Sequence, residues 1–215
     1  MFTLMNPYVA KITIAARDGD SIRAISKKIK ESYGWTYKWV LELEKTGAMS
    51  RKGQKVYINK KNTVFKALSK CVIALAAQVN LHDAYLIPQL IGLNYAFTDI
   101  DAVFIWTQGG YNIGRNRNAY PIFIEILKQD KAAWEAYLAA LHIRYTFKNE
   151  RKKGIYFVIS LSEKIEKEYC GDIPVLPLTK TVAWAKEYSF NFQPALEMLD
   201  KMYHLQLGVS YAEPW

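Results

Sequence analysis

The hydrophobic residues of the first sixty positions recur at helical spacing three times and then alternate. Val9, Ile12 and Ala16 share one face behind Asn6-Pro7, an N-cap followed by a proline at the first helical position, so a helix is predicted to about Arg17. Asp18-Gly19-Asp20 breaks it, and Asp20 or Ser21 can cap the next helix. Ile22, Ile25 and Ile29 stand at i, i+3 and i+7, with Arg23, Lys27 and Lys30 on another face and Lys28 nearby. Tyr33-Gly34 reads as a turn. A third helix then runs from about Trp35 to Thr46, with Trp39, Val40 and Leu43 inward and Gly47 as its stop. Ala48 to Arg51 and Gln54 to Ile58 read as a hairpin turning at Lys52-Gly53. Met49, Val56 and Ile58 would face the body, and Arg51, Lys52 and Lys55 would cluster at the tip.

Beyond the hairpin the pattern becomes mixed. A long helix is predicted from Thr63 to about Val79, and its lower half, CVIALAAQV, is apolar almost all round, as in a helix buried on more than one side. Ala84 to Leu93 reads as another helix ended near Gly92. Asp101 to Trp106 and Tyr120 to Leu127 read as strands, the first followed by a Gly109-Gly110 turn. Asp130 can cap a helix through Trp134, Leu138 and Leu141. Ile143 to Phe147 and Ile155 to Leu161 look like two strands around the charged turn KNERKKG. Pro174 to Pro177 is extended, and helices near 181–188 and 194–205 finish the chain. The expected class is α+β: an N-terminal winged helix-turn-helix over 1–62, a linker or dimerisation helix over 63–80, and a mixed α/β domain over 81–215.

Charge sharpens this division. The chain of 215 residues carries a formal +9, but residues 1–70 hold fifteen Lys/Arg against five Asp/Glu, a net of +10. The remaining residues are close to neutral. A basic module on a neutral body points to a polyanion partner for the module. In a winged helix-turn-helix the third helix enters the major groove and the hairpin reaches the backbone or the minor groove. Trp35, Tyr37, Lys38 and Leu41 hold the outward positions of that helix. Lys38 can reach a guanine edge or a phosphate, and Tyr37 a phosphate or a thymine methyl. Arg23, Lys27, Lys28, Arg51, Lys52 and Lys55 are candidates for phosphate contacts. Double-stranded DNA is therefore the expected partner, with a homodimer presenting two modules to two half-sites.

Residues 6 to about 80 resemble the winged helix-turn-helix domains of archaeal and bacterial transcriptional regulators. Ser21, Ile22, Ile25, Ile29, Gly34, Val40, Leu43, Glu44, Gly47, Arg51, Val56 and Tyr57 carry the resemblance. It implies a DNA-binding regulator, although members often carry a basic or polar residue where Leu41 stands. The whole arrangement is also similar to two-domain antitoxins of abortive-infection systems, through AYLIPQLIGLNYAF and IPVLPLTKTVAWAKEY. That similarity implies a C-terminal domain that contacts a protein partner.

Catalytic chemistry is less supported. Asp99, Asp101, Glu125 and Lys128 invite a metal-dependent nuclease. That signature needs the Glu and Lys two residues apart, whereas three apart puts them on opposite faces of a strand. A nucleotidyltransferase would place its Gly pair before its paired acids, the reverse of the order here. In GGYNIGRNRNAYP, Arg115 and Arg117 with the surrounding Gly and Asn could bind an anion or a nucleic-acid backbone, or could form a plain turn. His82, His142 and His204 are scattered and read as solvent-facing or capping. Cys71 and Cys170 cannot make a four-ligand zinc site of the usual CxxC type with them, nothing in the sequence supports a disulfide between the two, and Cys71 is expected as a buried free thiol. No catalytic residue, metal or cofactor is expected. The start MFTLMNPYV lacks the features of a signal peptide, and no apolar run reaches the roughly 18–20 residues that span a bilayer. A cytoplasmic protein is expected.

Overall fold

The computed structural model describes residues 6–76, 81–116, 118–148 and 150–210. They form a mixed α+β protein with one two-stranded and one six-stranded sheet. The chain divides into two compact units. The first holds the described residues up to Leu93 together with Trp134–Ile143, and the second holds the rest.

In the first unit, α1 (Pro7–Ala15) starts under the Asn6 side chain, which accepts from the Val9 N–H. Ser21 caps α2 (Ile22–Ile29) in the same way through Ala24. Helix α3 (Tyr33–Lys45) begins two residues earlier than its hydrophobic stripe suggests, because Ser32 caps it and Lys30, in the left-handed region, makes the turn. Tyr33 and Gly34 are therefore helical. Thr46 and Gly47, the latter at φ +71°, release the chain into β1 (Met49–Lys52), which pairs antiparallel with β2 (Lys55–Ile58). Residues 19–21 add a short third edge. Gly19 N–H donates to Val56 O, Val56 N–H to Asp20 O, and Ser21 bridges Lys55. Asn62 then caps α4 (Thr63–Ala76) by accepting from the Val64 and Phe65 N–H groups.

Three isoleucines of α2 meet Val9, Ile12, Val40, Leu43, Met49 and Val56 in one core, with Val64, Phe65, Leu68 and Leu90 packed around it. Leu90 comes from α5 (Leu81–Ile91), which packs on α1 and α2. The boundary expected at residue 80 thus falls inside this unit, because the apolar face of α5 is used by the first core. On α4, Val72 is buried but Cys71 is exposed, which corrects the expected buried thiol. The expected helical stretch 77–79 lies outside the described residues.

The second unit is built on a sheet in the order β5-β6-β4-β3-β8-β7: β3 (Tyr95–Phe97), β4 (Ala119–Leu127), β5 (Arg144–Thr146), β6 (Gly154–Ser162), β7 (Glu168–Cys170) and β8 (Ile173–Val175). Tyr120, Ile122, Ile124 and Ile126 of β4 alternate into the core. The predicted strand over 101–106 is instead a helix, α6 (Asp99–Trp106), and the strand is Tyr95–Phe97. A short unbroken apolar run fits either state. Here the acidic Asp101 in the first turn favours the helix N-terminus, and Gly109 at φ +81° closes its far end. The two strands around KNERKKG are also not a hairpin. β5 and β6 run parallel, and β6 runs parallel to β4 over nine residue pairs from Ala119↔Gly154 to Leu127↔Ser162. The return is pinned where Gly154, at φ +73°, donates its N–H to Asn118 O. A single 3-10 turn, Lys128–Asp130, leads into α7 (Lys131–Ala140). Its residues Trp134, Tyr137 and Leu138 are buried, and Tyr137 donates its hydroxyl to Ile87 O within the first unit. Helices α8 (Leu178–Glu187) and α9 (Ser189–Tyr203) complete the second unit, with α8 packed on α6 and α9.

Candidate nucleic-acid interface

Helix α2 presents Arg23 and Lys27 one turn apart, both exposed. Lys28, expected beside them, is not part of that face. Its ammonium sits 2.7 Å from the Asp20 carboxylate and 3.4 Å from Ala15 O, and its side chain is 15% exposed. The stem crosses Gly92 so closely that a Cβ there would lie 2.5 Å from Lys28 Cγ. Lys28 therefore ties α5 to α2, and its charge is already spent on Asp20.

Helix α3 presents its first half to solvent. Tyr33, Trp35 and Tyr37 are 51%, 48% and 37% exposed, and Lys38 stands beside them. Tyr8 of α1 lies flat on Trp35, with centroids 5.6 Å apart and planes 5° apart. Lys38 Nζ sits 4.8 Å from the Trp35 ring and 5.2 Å from the Trp39 ring. Tyr8 and Tyr33 were not anticipated from the sequence. Tyr33 was hidden by the Gly34 that follows it, although Ser32 was an available N-cap signal.

The hairpin supplies the remaining cations. Arg51 is held by Glu44, Nε to carboxylate at 2.8 Å, and its guanidinium lies 5.4 Å from the Tyr37 ring centroid. Glu44 first and Tyr37 second raise its pKa above the ordinary arginine value, so it is charged throughout. Its Nε is taken by Glu44 and one terminal nitrogen reaches the Tyr37 hydroxyl, which makes it a positioned charge rather than a free one. Lys52 and Lys55 are both exposed and directly opposite each other across the turn at Gly53, with Lys52 over the Tyr57 ring. Like charges facing each other across a hairpin oppose its formation. Because Ser21 bridges Lys55 and Arg51 reaches Tyr37, the start of α2, the hairpin and α3 adjoin.

The second candidate anion site is different from its expectation. Arg115 is 5% exposed and bonds Asp101, itself fully buried, at 2.8 Å and Pro121 O at 2.9 Å. The guanidinium also lies 4.1 Å from the Tyr120 ring and meets the Asn112 amide oxygen. The other Asp101 oxygen accepts the Phe123 N–H at 2.7 Å. The loop folds around its arginine instead of offering it to a ligand. Arg117 lies outside the described residues.

Of the residues in the nuclease reading, Asp101 is thus committed to Arg115, and Lys128 pairs with Glu163 on the surface. Asp99 and Glu125 do approach each other electrostatically. Burial raises both carboxyl pKa values, Thr98 partly offsets this at Asp99, and Lys180 partly offsets it at Glu125. Lys180 also bonds Glu166 at 2.9 Å. Among the described residues no group of three or more His, Cys, Asp or Glu side chains is placed to hold a metal. His142 and His204, read from the sequence as solvent-facing or capping, both sit exposed in the left-handed region just after helices. No helix among the described residues is long and apolar enough to cross a membrane. Comparison with known protein families, curated proteins and solved structures finds none that matches this chain.

Proposed function

We propose that the protein is a DNA-binding transcriptional regulator whose first unit is a winged helix-turn-helix. The observation that carries this reading is the row of exposed cations Arg23, Lys27, Lys38, Lys52 and Lys55 on α2, α3 and the hairpin. These elements follow one another in the order of that module, and the short edge at residues 19–21 pairs with β2 beside them. In this arrangement α3 lies in the major groove, while Lys52 and Lys55 follow the phosphates. The lysine pair facing itself at the hairpin tip supports the reading as well, because its repulsion is relieved by a polyanion.

The proposal includes a homodimer, in which two modules meet two half-sites, and a protein or effector partner for the second unit. That unit carries Phe190, which is 97% exposed at the start of α9, beside Tyr188, which is 50% exposed. The experiment that tests the DNA reading is binding of the full-length chain to duplex DNA across salt. It is compared with a variant carrying Lys38→Ala, Lys52→Ala and Lys55→Ala. These three lysines are exposed, so their removal leaves the core intact.

A further inference from the structure

The exposed half of α3 is unusual for a helix that meets only paired DNA. A major groove offers base edges, phosphates and thymine methyls, and the flat faces of its bases are covered by their neighbours. Yet Tyr33, Trp35 and Tyr37 all keep their rings in solvent. The rings are also organised. Tyr8 backs the Trp35 indole in a parallel stack, so that indole is braced from α1. Tyr33 and Tyr37 lie 5.9 Å apart with 30° between their planes. Cations alternate with the rings: Lys38 lies against the Trp35 and Trp39 indoles, and Arg51 sits against Tyr37. Braced aromatic faces interleaved with positive charge match the chemistry of unpaired nucleotides, whose bases stack on the rings while their phosphates meet the cations.

We infer that the N-terminal half of α3 is a stacking platform for unpaired bases. The ligand is DNA in which a single strand leaves a duplex, the duplex being held by the cations of α2 and the hairpin. This rests on the DNA-binding reading and specifies which DNA. Trp35 is the central stacking ring because Tyr8 holds it from behind, and a base stacking on it moves the Lys38 ammonium from over the ring to the strand's phosphate. Lys38, between two indoles, meets the backbone of the departing strand. An acidic protein segment would also meet these cations, but it would not need a row of flat, braced rings.

The test uses the full-length chain and fluorescence anisotropy with three probes: a blunt duplex, the same duplex with an unpaired oligo-dT arm, and the arm alone. The expected result is that the armed duplex binds about tenfold or more tighter than the blunt one. Trp35→Ala should abolish the difference between armed and blunt duplexes, lowering armed-duplex affinity much more than blunt-duplex affinity. Tyr33→Ser, at a more exposed ring, should cause a smaller loss of the same kind, and thermal melting of both variants checks that they fold. Equal affinity of the wild-type chain for blunt and armed duplexes would overturn the platform and leave the DNA reading standing. So would a Trp35→Ala variant that melts like the wild type and loses both equally. Binding of the arm alone as tightly as the armed duplex supports the platform and counts against duplex contact by the hairpin. Absence of binding to every probe removes the platform and the DNA reading together.

Discussion

At the scale of single residues, the structure separates charges that act on solvent from charges that hold the fold. Arg115 and Asp101 form an ion pair that is almost fully buried, with the second carboxylate oxygen taken by the Phe123 N–H. Removing one member strands the other charge in a dry site, which costs about 3–5 kcal/mol. Asp101→Ala should therefore lower the stability of the second unit by about that amount, read from denaturant unfolding. An activity lost in that variant would report unfolding, not chemistry. Asp99 behaves in the opposite sense. Burial lifts its carboxyl pKa above the ordinary 3.8, so the folded state holds a proton that the unfolded chain gives up more readily. The stability this contributes is full below the ordinary value and is lost as pH rises through the raised one. Asp99 also stands at φ +50°, a region asparagine tolerates well. Asp99→Asn should raise the melting temperature at pH 7 and change it less in acid; an equal change at both would contradict this.

Lys28 and Arg115 show where sequence reading stops at this scale. Each looked like a surface cation because its neighbours are polar or basic. Their partners, Asp20 and Asp101, lie eight and fourteen residues away. In the sequence Asp20 reads as one of two possible caps and Asp101 as the start of a strand, so neither pairing is visible there. The exposed cations were legible because helical periodicity alone places Arg23, Lys27 and Lys38 opposite the buried stripes.

At the scale of elements, local signals explain which predictions stood. Asn6-Pro7, Ser21 and Gly47 are strong chemical punctuation, and α1, α2 and the end of α3 follow them. The hairpin was legible from Gly53 and the alternation around it. Residues 19–21 were not, because three residues are too few to carry a period, and their pairing with β2 is purely tertiary. The helix over 99–106 and the parallel pairing of β5 with β6 likewise depend on long-range partners that an apolar run does not encode. Within the hairpin, Lys52 and Lys55 oppose each other. Lys55→Gln should leave the melting temperature unchanged or slightly higher, while weakening DNA binding and reducing the salt slope by about 1. A variant that melts lower and binds DNA as before would show that Lys55 serves the fold instead.

At the scale of the molecule, charge and packing divide the chain at different places. The excess of positive charge ends near residue 70, whereas the first compact unit continues to Leu93 and recruits Trp134–Ile143. Leu90 packs on the first core, Lys28 covers Gly92, and Tyr137 bonds Ile87 while Arg17 lies 5.3 Å from its ring. A fragment ending at residue 80 would lose all of these. It should melt at a lower temperature than the same unit within the full chain, so weak DNA binding by such a fragment would reflect its folding. A fragment as stable as the unit in the full chain would show that α5 and α7 add nothing to it.

The most direct test is therefore made on the full-length chain: its affinity for duplex DNA, measured by anisotropy across a salt series, with and without the Lys38, Lys52 and Lys55 to Ala changes. Each phosphate contact contributes about 0.9 to the slope of log affinity against log salt. DNA binding through α3 and the hairpin requires weaker binding in the variant and a slope shallower by about 2 to 3. An identical affinity and slope in the two proteins, or no binding by either, would contradict it.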